Sequence, residues 1–191
     1  SRPFVGYLIA VAVFSLGASA DAFLILHAHE RGLSTAAVPV VWAFHNALRA
    51  IATTLSGGLA DRFGRRRTLA AAWVVYAGVY AGFALTDSLQ AVVVLFAIYP
   101  LYHALSGGAE KALVADLVPA VARARGFGIY HLIVGLMLLP ASALFGVVYQ
   151  RWGASTAFGA GAALSLLGAA LLPLSRVTSR DPMPEDSTTS A

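Results

Sequence analysis

Four charged residues stand deep inside apolar stretches of this 191-residue chain: Asp21, Arg49, Glu110 and Lys111. An arginine or aspartate at the centre of a membrane helix costs about 2.5–3.5 kcal/mol on insertion scales, so such groups face a partner or a water-filled passage. Their neighbours form stripes. His45, Arg49, Thr53 and Ser56, with Asn46 adjacent, recur at three- and four-residue steps, and Tyr99, Tyr102, His103, Ser106 and Glu110 do the same further on. Each set makes one polar face on an otherwise apolar helix; His131, Gly135 and Ser142 make a fainter one. Carboxylates in such a passage can carry protons, so Asp21 and Glu110 are candidates for proton coupling, whereas His45, His103 and His131 read as lining or packing residues. At about 1.5 Å per residue, Arg49 and Glu110 lie at depths that let them pair, as a static bridge or as part of a pathway. Asp21 lies closer to the opposite face and has no obvious match.

Other chemistries find no support. There is no cysteine, which removes disulfides, thiolate metal sites and cysteine nucleophiles. Gly17-Ala18-Ser19-Ala20-Asp21 fails the Gly-x-Ser-x-Gly pattern of a serine hydrolase. His27, His29 and Glu30 do not form His-Glu-x-x-His. The expectation is a protein that is not an enzyme and needs no cofactor or metal.

The elements that must position these residues follow from composition. The chain is 59% apolar and 12% charged, with a mean hydropathy of +0.76, whereas a soluble domain is nearer half apolar and a quarter charged. Lipid is the natural solvent. The net charge of +4 does not point to nucleic acid, because its densest run, Arg65-Arg66-Arg67, sits between two apolar stretches. A bilayer core about 30 Å thick needs about 20 apolar residues per helix. Six segments qualify: 4–28, 36–59, 68–86, 89–115, 127–149 and 154–175. None alternates with period two, so strands are not expected. The third and sixth contain no charged residue.

The reading is an all-α membrane protein with a six-helix bundle over residues 1–175 and a polar tail over 176–191. Arg2, then Arg62, Arg65, Arg66 and Arg67, then Arg123 and Arg125, then Arg176 and Arg180 fall on one side, against Arg31 and Arg151 on the other. This bias puts both termini in the cytoplasm, and the arginine- and alanine-rich composition suggests a bacterial inner membrane. The absence of an initiator methionine and the long first apolar stretch suggest a processed product or a piece cut from a longer chain.

At an offset of 89 residues the sequence matches itself without gaps, Gly57–Gly64 over Gly146–Gly153 and Leu16–Asp21 over Leu105–Glu110. An intramembrane acid falls on an intramembrane acid. Three helices per copy (about 4–86 and 89–175) make the second triplet enter from the opposite side, the inverted repeat typical of secondary transporters.

The loop Gly57-x-x-x-Asp61-Arg62-x-Gly64-Arg65-Arg66-Arg67, between the second and third segments, resembles the signature loop of the major facilitator superfamily at every defined position. The stretch ending Asp116-Leu117-Val118-Pro119, followed by Arg125-Gly126-Phe127-Gly128, is similar to the matching region of many members. The resemblance implies one six-helix half of a twelve-helix transporter, the C-terminal half by its tail, partnered by an N-terminal half. A homodimer of six-helix units and a passive or structural subunit are the alternatives. It implies that Asp61 meets the positive end of a helix in the partner half, that Asp116 steers Arg65, that the first and fourth helices line the cavity, and that the third and sixth face lipid. Gly78 and Gly82 on the third would allow close packing. The partners implied are a small-molecule substrate, protons and the bilayer. One departure counts against exchange: only Leu139-Pro140 and then Gly146 stand where an antiporter's glycine-proline motif belongs.

Overall fold

Backbone amides find no water in hydrocarbon, so a chain this apolar must satisfy them within its own helices. The computed structural model describes residues 2–55 and 58–175, and these are helices, turns and short connections without a strand. The elements are α1 (Arg2–Gly17), α2 (Asp21–Glu30), α3 (Val38–Leu55), α4 (Leu59–Phe63), α5 (Arg65–Leu85), α6 (Leu89–Ile98), α7 (Pro100–Leu117) and α8 (Arg123–Leu171). Single 3₁₀ turns at Thr35–Ala37, Ala120–Ala122 and Leu172–Ser175 lead into α3, into α8 and out of α8. Gly57, Ser56 and the tail 176–191 lie outside the described residues.

Among the described residues, four stretches are long and apolar enough to cross a bilayer: Arg2–Glu30, Arg65–Leu85, Leu89–Leu117 and Ala120–Ser175. The last is 56 residues long, enough for two crossings, and Gly153 divides it with φ 85° and ψ 169°. The rings of Phe145 and Phe158 lie 5.2 Å apart. In a straight helix, 13 residues span about 20 Å, so α8 folds back at Gly153 into two antiparallel limbs, 123–152 and 154–171. Val38–Leu55 falls short on apolarity rather than length, because it carries His45, Asn46, Arg49, Thr53 and Thr54.

Two of the six expected segments are interrupted. Residues 18–20 separate α1 from α2, with Ser19 Oγ turned to the Tyr80 hydroxyl at 2.8 Å. Between α6 and α7, Pro100 has no N–H to give to the carbonyl four residues back, so the ladder opens at Phe96 O.

Packing gives each limb a direction. Tyr7 reaches residue 110, Phe14 meets Tyr102 and Asp21 meets Tyr99, so α1–α2 runs antiparallel to α6–α7. Tyr7 stacks on Tyr130 and Phe23 meets Phe145, so limb 123–152 runs parallel to α1–α2. Limb 154–171 returns along α1: a Cβ on Gly17 would touch Gly161 O, and one on Gly168 would touch Phe14.

The core sits on α5. Leu69, Ala72, Trp73, Tyr76, Tyr80 and Phe83 are buried, while Arg67, Ala71, Val74 and Gly78 form an exposed stripe at helical spacing. The lipid-facing third segment implied above is therefore split lengthwise, its aromatic face inward and its small face outward. Of the two glycines expected to allow close packing, Gly82 does so, its Cβ position lying 2.7 Å from Leu95 Cδ2 of α6, whereas Gly78 faces open space. The close backbone approach lies between α1 and limb 154–171, at Gly17, Gly161 and Gly168, and between Gly6 and Leu174 in the turn that follows the limb.

Candidate functional site

Two acids anchor the interior, and each is held by a tyrosine from another helix. Asp21 opens α2, where the positive helix end favours an acid, and Tyr99, itself buried, donates its phenol to Asp21 Oδ1 at 3.0 Å. Glu110 lies mid-α7, and Tyr130 of limb 123–152 donates to its Oε2 at 2.7 Å. Tyr7 of α1 donates to the backbone carbonyl of the same Glu110 at 3.2 Å and stacks on Tyr130 with ring centroids 6.2 Å apart. Three helices thus meet at Glu110.

Between the two acids lies an aromatic array. Tyr102 packs edge-on against Tyr76 at 4.9 Å and close to Phe14, and Tyr76 stacks on Tyr80 at 4.2 Å. His45 of α3 is buried, stacked between Trp42 and Tyr99 at 5.4 Å each. Its Nδ1 donates to Phe96 O at 3.3 Å, the carbonyl that Pro100 leaves without a helical donor. In neutral imidazole that makes Nε2 a bare acceptor. His103 packs edge-on against Tyr99 at 5.1 Å and tilted against Tyr102 at 4.7 Å, and Ser106 is buried one turn below.

The other candidates are dispersed. Asn46 is exposed and donates Nδ2 to Trp42 O at 2.8 Å. Arg49 is exposed and its charge bears on His103. The Arg49–Glu110 pairing does not form. Arg49 is turned to the exposed side of α3, whereas the Glu110 carboxylate is turned to Tyr130 of limb 123–152. His131 is exposed on limb 123–152, and Lys111 is exposed on α7.

At the arginine-rich end the motif residues converge. Gly64, at φ 88° and ψ 129°, makes a turn between α4 and α5 that L side chains rarely adopt. It sets Arg65 across from α7, where the guanidinium donates to Asp116 and to Ala112 O at 3.3 Å. Asp61, largely exposed, lies 3.7 Å from Arg65 Nη2. Arg66 turns the other way and donates to Ser175 through Nε at 2.9 Å and Nη2 at 2.7 Å, pinning the end of limb 154–171 to the start of α5. Arg62 lies over the Phe63 ring at 5.5 Å, and Arg67 is exposed.

Several polar partners are marked in the sequence by residue type alone. Tyr130, Tyr7 and Tyr80 appear in sequence only as residues of apolar segments; a tyrosine within a membrane helix, whose hydroxyl needs a partner, is the signal that points to them. At the opposite end Tyr149 donates to Glu30, and Arg31 pairs with Asp87 at 2.6 Å. Chemically the arrangement offers two hydrogen-bonded carboxylates and a wall of rings.

Comparison with known proteins gives consistent results. The family model described as Major Facilitator Superfamily matches residues 4–191. An uncharacterised MFS-type transporter of Methanocaldococcus jannaschii is 31% identical over 150 residues, 75% of this chain and 38% of that protein. The tetracenomycin C resistance and export protein of Streptomyces glaucescens is 27% identical over 156 residues, 79% of this chain and 29% of that protein. Among solved structures, that of an auto-inhibited POT family peptide transporter superposes with a TM-score of 0.70 at 20% identity, covering 97% of this chain and 40% of that one. The chain spans less than half the length of each.

Proposed function

The chain belongs to the major facilitator superfamily, and from that premise we propose that it forms six membrane crossings, one half of a secondary transporter that moves a small solute by alternating access. It is a multi-pass integral membrane protein. The observation that carries the proposal is the pair of buried-helix carboxylates, Asp21 and Glu110, each taken by a phenol from a different helix. Insertion cost makes such groups rare in structural spans and frequent on transport paths.

An inverted repeat of residues about 4–86 and 89–175 has local support. Gly64 and Gly153, related by the 89-residue offset, share a left-handed φ of 88° and 85° with extended ψ. Each opens a helix, 65–85 and 154–171, that packs against the first helical run of the other copy. Related triplets of this kind can exchange inward- and outward-facing shapes.

In this reading Asp21, His45, Asn46, Arg49, Tyr99, Tyr102, His103, Ser106 and Glu110 line the path, with Asp21 and Glu110 as proton carriers. Gly57, Asp61, Arg62, Gly64, Arg65, Arg66, Arg67 and Asp116 form the gate, with Asp61 offered to a helix of a second six-helix half. The coverage of 38%, 29% and 40% of longer relatives supports that second half, and the arginine bias supports an inner-membrane protein with both ends in the cytoplasm. No catalytic step is assigned.

The test is uphill accumulation. Proteoliposomes holding the protein would be given a proton gradient and a panel of labelled solutes. Accumulation above the outside concentration that disappears with the gradient supports the reading; flux that only equilibrates would mean a passive pore. Wild-type pH dependence in both Asp21→Asn and Glu110→Gln would remove the proton carriers while leaving transport standing.

A further inference from the structure

A groove of about 440 Å³ opens beside the signature loop between α4, α5 and α7. Its mouth carries Arg62 and Arg67, both exposed. The ion pairs recorded among the described residues, Arg31–Asp87, Arg65–Asp61 and Arg65–Asp116, involve neither. Below the mouth the walls turn apolar, with Leu59, Phe63, Ala71 and Leu105. The Phe63 side chain is exposed and the Arg62 guanidinium rests over its ring, so charge and hydrocarbon surface meet within one turn.

The groove continues as a track. From Arg67 the exposed stripe of α5 runs through Ala71, Val74 and Gly78, and a Cβ on Gly78 would meet nothing within 4 Å. From 71 to 78 is about 10 Å along the helix, inside the roughly 15 Å depth of one leaflet. Small residues there leave a smooth channel on a helix whose other face is filled with aromatics.

We infer that this groove binds one anionic phospholipid from the leaflet at the arginine-rich end, its phosphate between Arg62 and Arg67 and one acyl chain along Ala71, Val74 and Gly78. Charge complementarity selects the headgroup, because two unpaired guanidinium groups fork naturally onto phosphate oxygens. The amphipathic profile, cationic at the interface and apolar below it, selects a lipid over a free anion. The site does not depend on what the chain transports. Its position beside Gly64 and Arg65 makes the occupant a neighbour of the turn that carries Arg65 to Asp116.

The probe is native mass spectrometry of the detergent-solubilised protein titrated with dioleoyl phosphatidylglycerol or dioleoyl phosphatidylcholine. One phosphatidylglycerol should be retained in preference to phosphatidylcholine. A basic side chain at the membrane surface contributes about fivefold to anionic lipid affinity, so Arg62→Gln with Arg67→Gln should cut the preference about 25-fold. Arg125→Gln, an exposed arginine away from the groove, should leave it unchanged. Gly78→Phe, at a position where an added Cβ meets nothing within 4 Å, puts a ring on the track and should weaken retention of both lipids while leaving the preference intact. Equal loss from Arg125→Gln would reduce the effect to diffuse surface charge and overturn the site. Displacement of the lipid by millimolar inorganic phosphate or glycerol 3-phosphate would identify a free-anion site and overturn the lipid assignment.

Discussion

Two glycines on limb 154–171, two residues apart, should respond to the same substitution with opposite signs. A Cβ on Gly161 would stand 2.8 Å from Gly17 O and 2.9 Å from Tyr80 Cδ1, at least 0.5 Å inside the 3.4 Å at which ordinary contact begins. One obstacle is backbone and the other is a ring fully buried between α8 and the rest of the core, so neither can step aside without moving a helix. Overpacking of this kind costs about 1–3 kcal/mol. Two rigid neighbours place Gly161 in the upper part of that range, about 2–3 kcal/mol, and alanine regains up to about 1 kcal/mol of helix propensity, leaving a net loss of about 1–2 kcal/mol. A chain of this size shifts by about 2–4 °C per kcal/mol, so Gly161→Ala should lower Tm by about 2–8 °C. At Gly159 a Cβ meets nothing within 4 Å, and Gly159→Ala should raise Tm by up to about 4 °C. The assay is thermal unfolding of the purified protein in one detergent, followed by tryptophan fluorescence. A Gly161→Ala protein as stable as wild type, or a shift of the same sign in both variants, would refute the α1–limb contact on which the fold rests.

Other outcomes follow from single contacts. Tyr130→Phe removes the donor to Glu110 Oε2 and should cost about 1.5–3 kcal/mol, the range for a bond to a charged group; in a Glu110→Gln background the same change should cost only about 0.5–1.5 kcal/mol, and equal costs in a double-mutant cycle would show that the bond is not charge-assisted. Asp116→Asn strips Arg65 of its partner across the loop; since both side chains are partly exposed, the loss should stay at or below about 1 kcal/mol and vanish in high salt, which melting curves at two ionic strengths would read. Gly64→Ala forces an L side chain into φ 88° and should cost about 1–2 kcal/mol, while Gly78→Ala, with φ in the helical range and open space around it, should not destabilise.

The site's position has a consequence for how the bundle holds together. Polar bonds between helices form at four levels: Arg65–Asp116 and Arg66–Ser175 at one end, then Glu110–Tyr130, then Asp21–Tyr99, and Glu30–Tyr149 with Arg31–Asp87 at the other end. Limb 123–152 depends on two of these, through Tyr130 and Tyr149, and otherwise presents Leu132, Leu136, Leu139 and Leu144 outward. Hydrocarbon provides no solvophobic force between apolar helices, so phenol–carboxylate bonds and close packing carry the association.

How much was legible beforehand divides along physical lines. Helix, lipid and family could be read directly, because a bilayer's length and its demand for internal hydrogen bonding act on each segment alone, and because the turn at Gly64 is a local backbone requirement written in the residues around it. The polar stripes of α3 and α7 were legible for the same reason: a period of 3.6 needs no partner to be seen. What tertiary structure decided is pairing. Arg49 and Glu110 share a depth in one dimension, yet Arg49 is turned to the exposed side of α3 and the acid goes to Tyr130. His45 finds Phe96 O only because Pro100 has left that carbonyl without a donor and α3 passes beside it. The glycines that matter, Gly17 and Gly161, differ from Gly78 in nothing that sequence records; they differ in which helix lies 3 Å away. Segment identity is set by the solvent around each helix, whereas contacts are set by rotation and register between helices, and those emerge only when all the limbs pack at once.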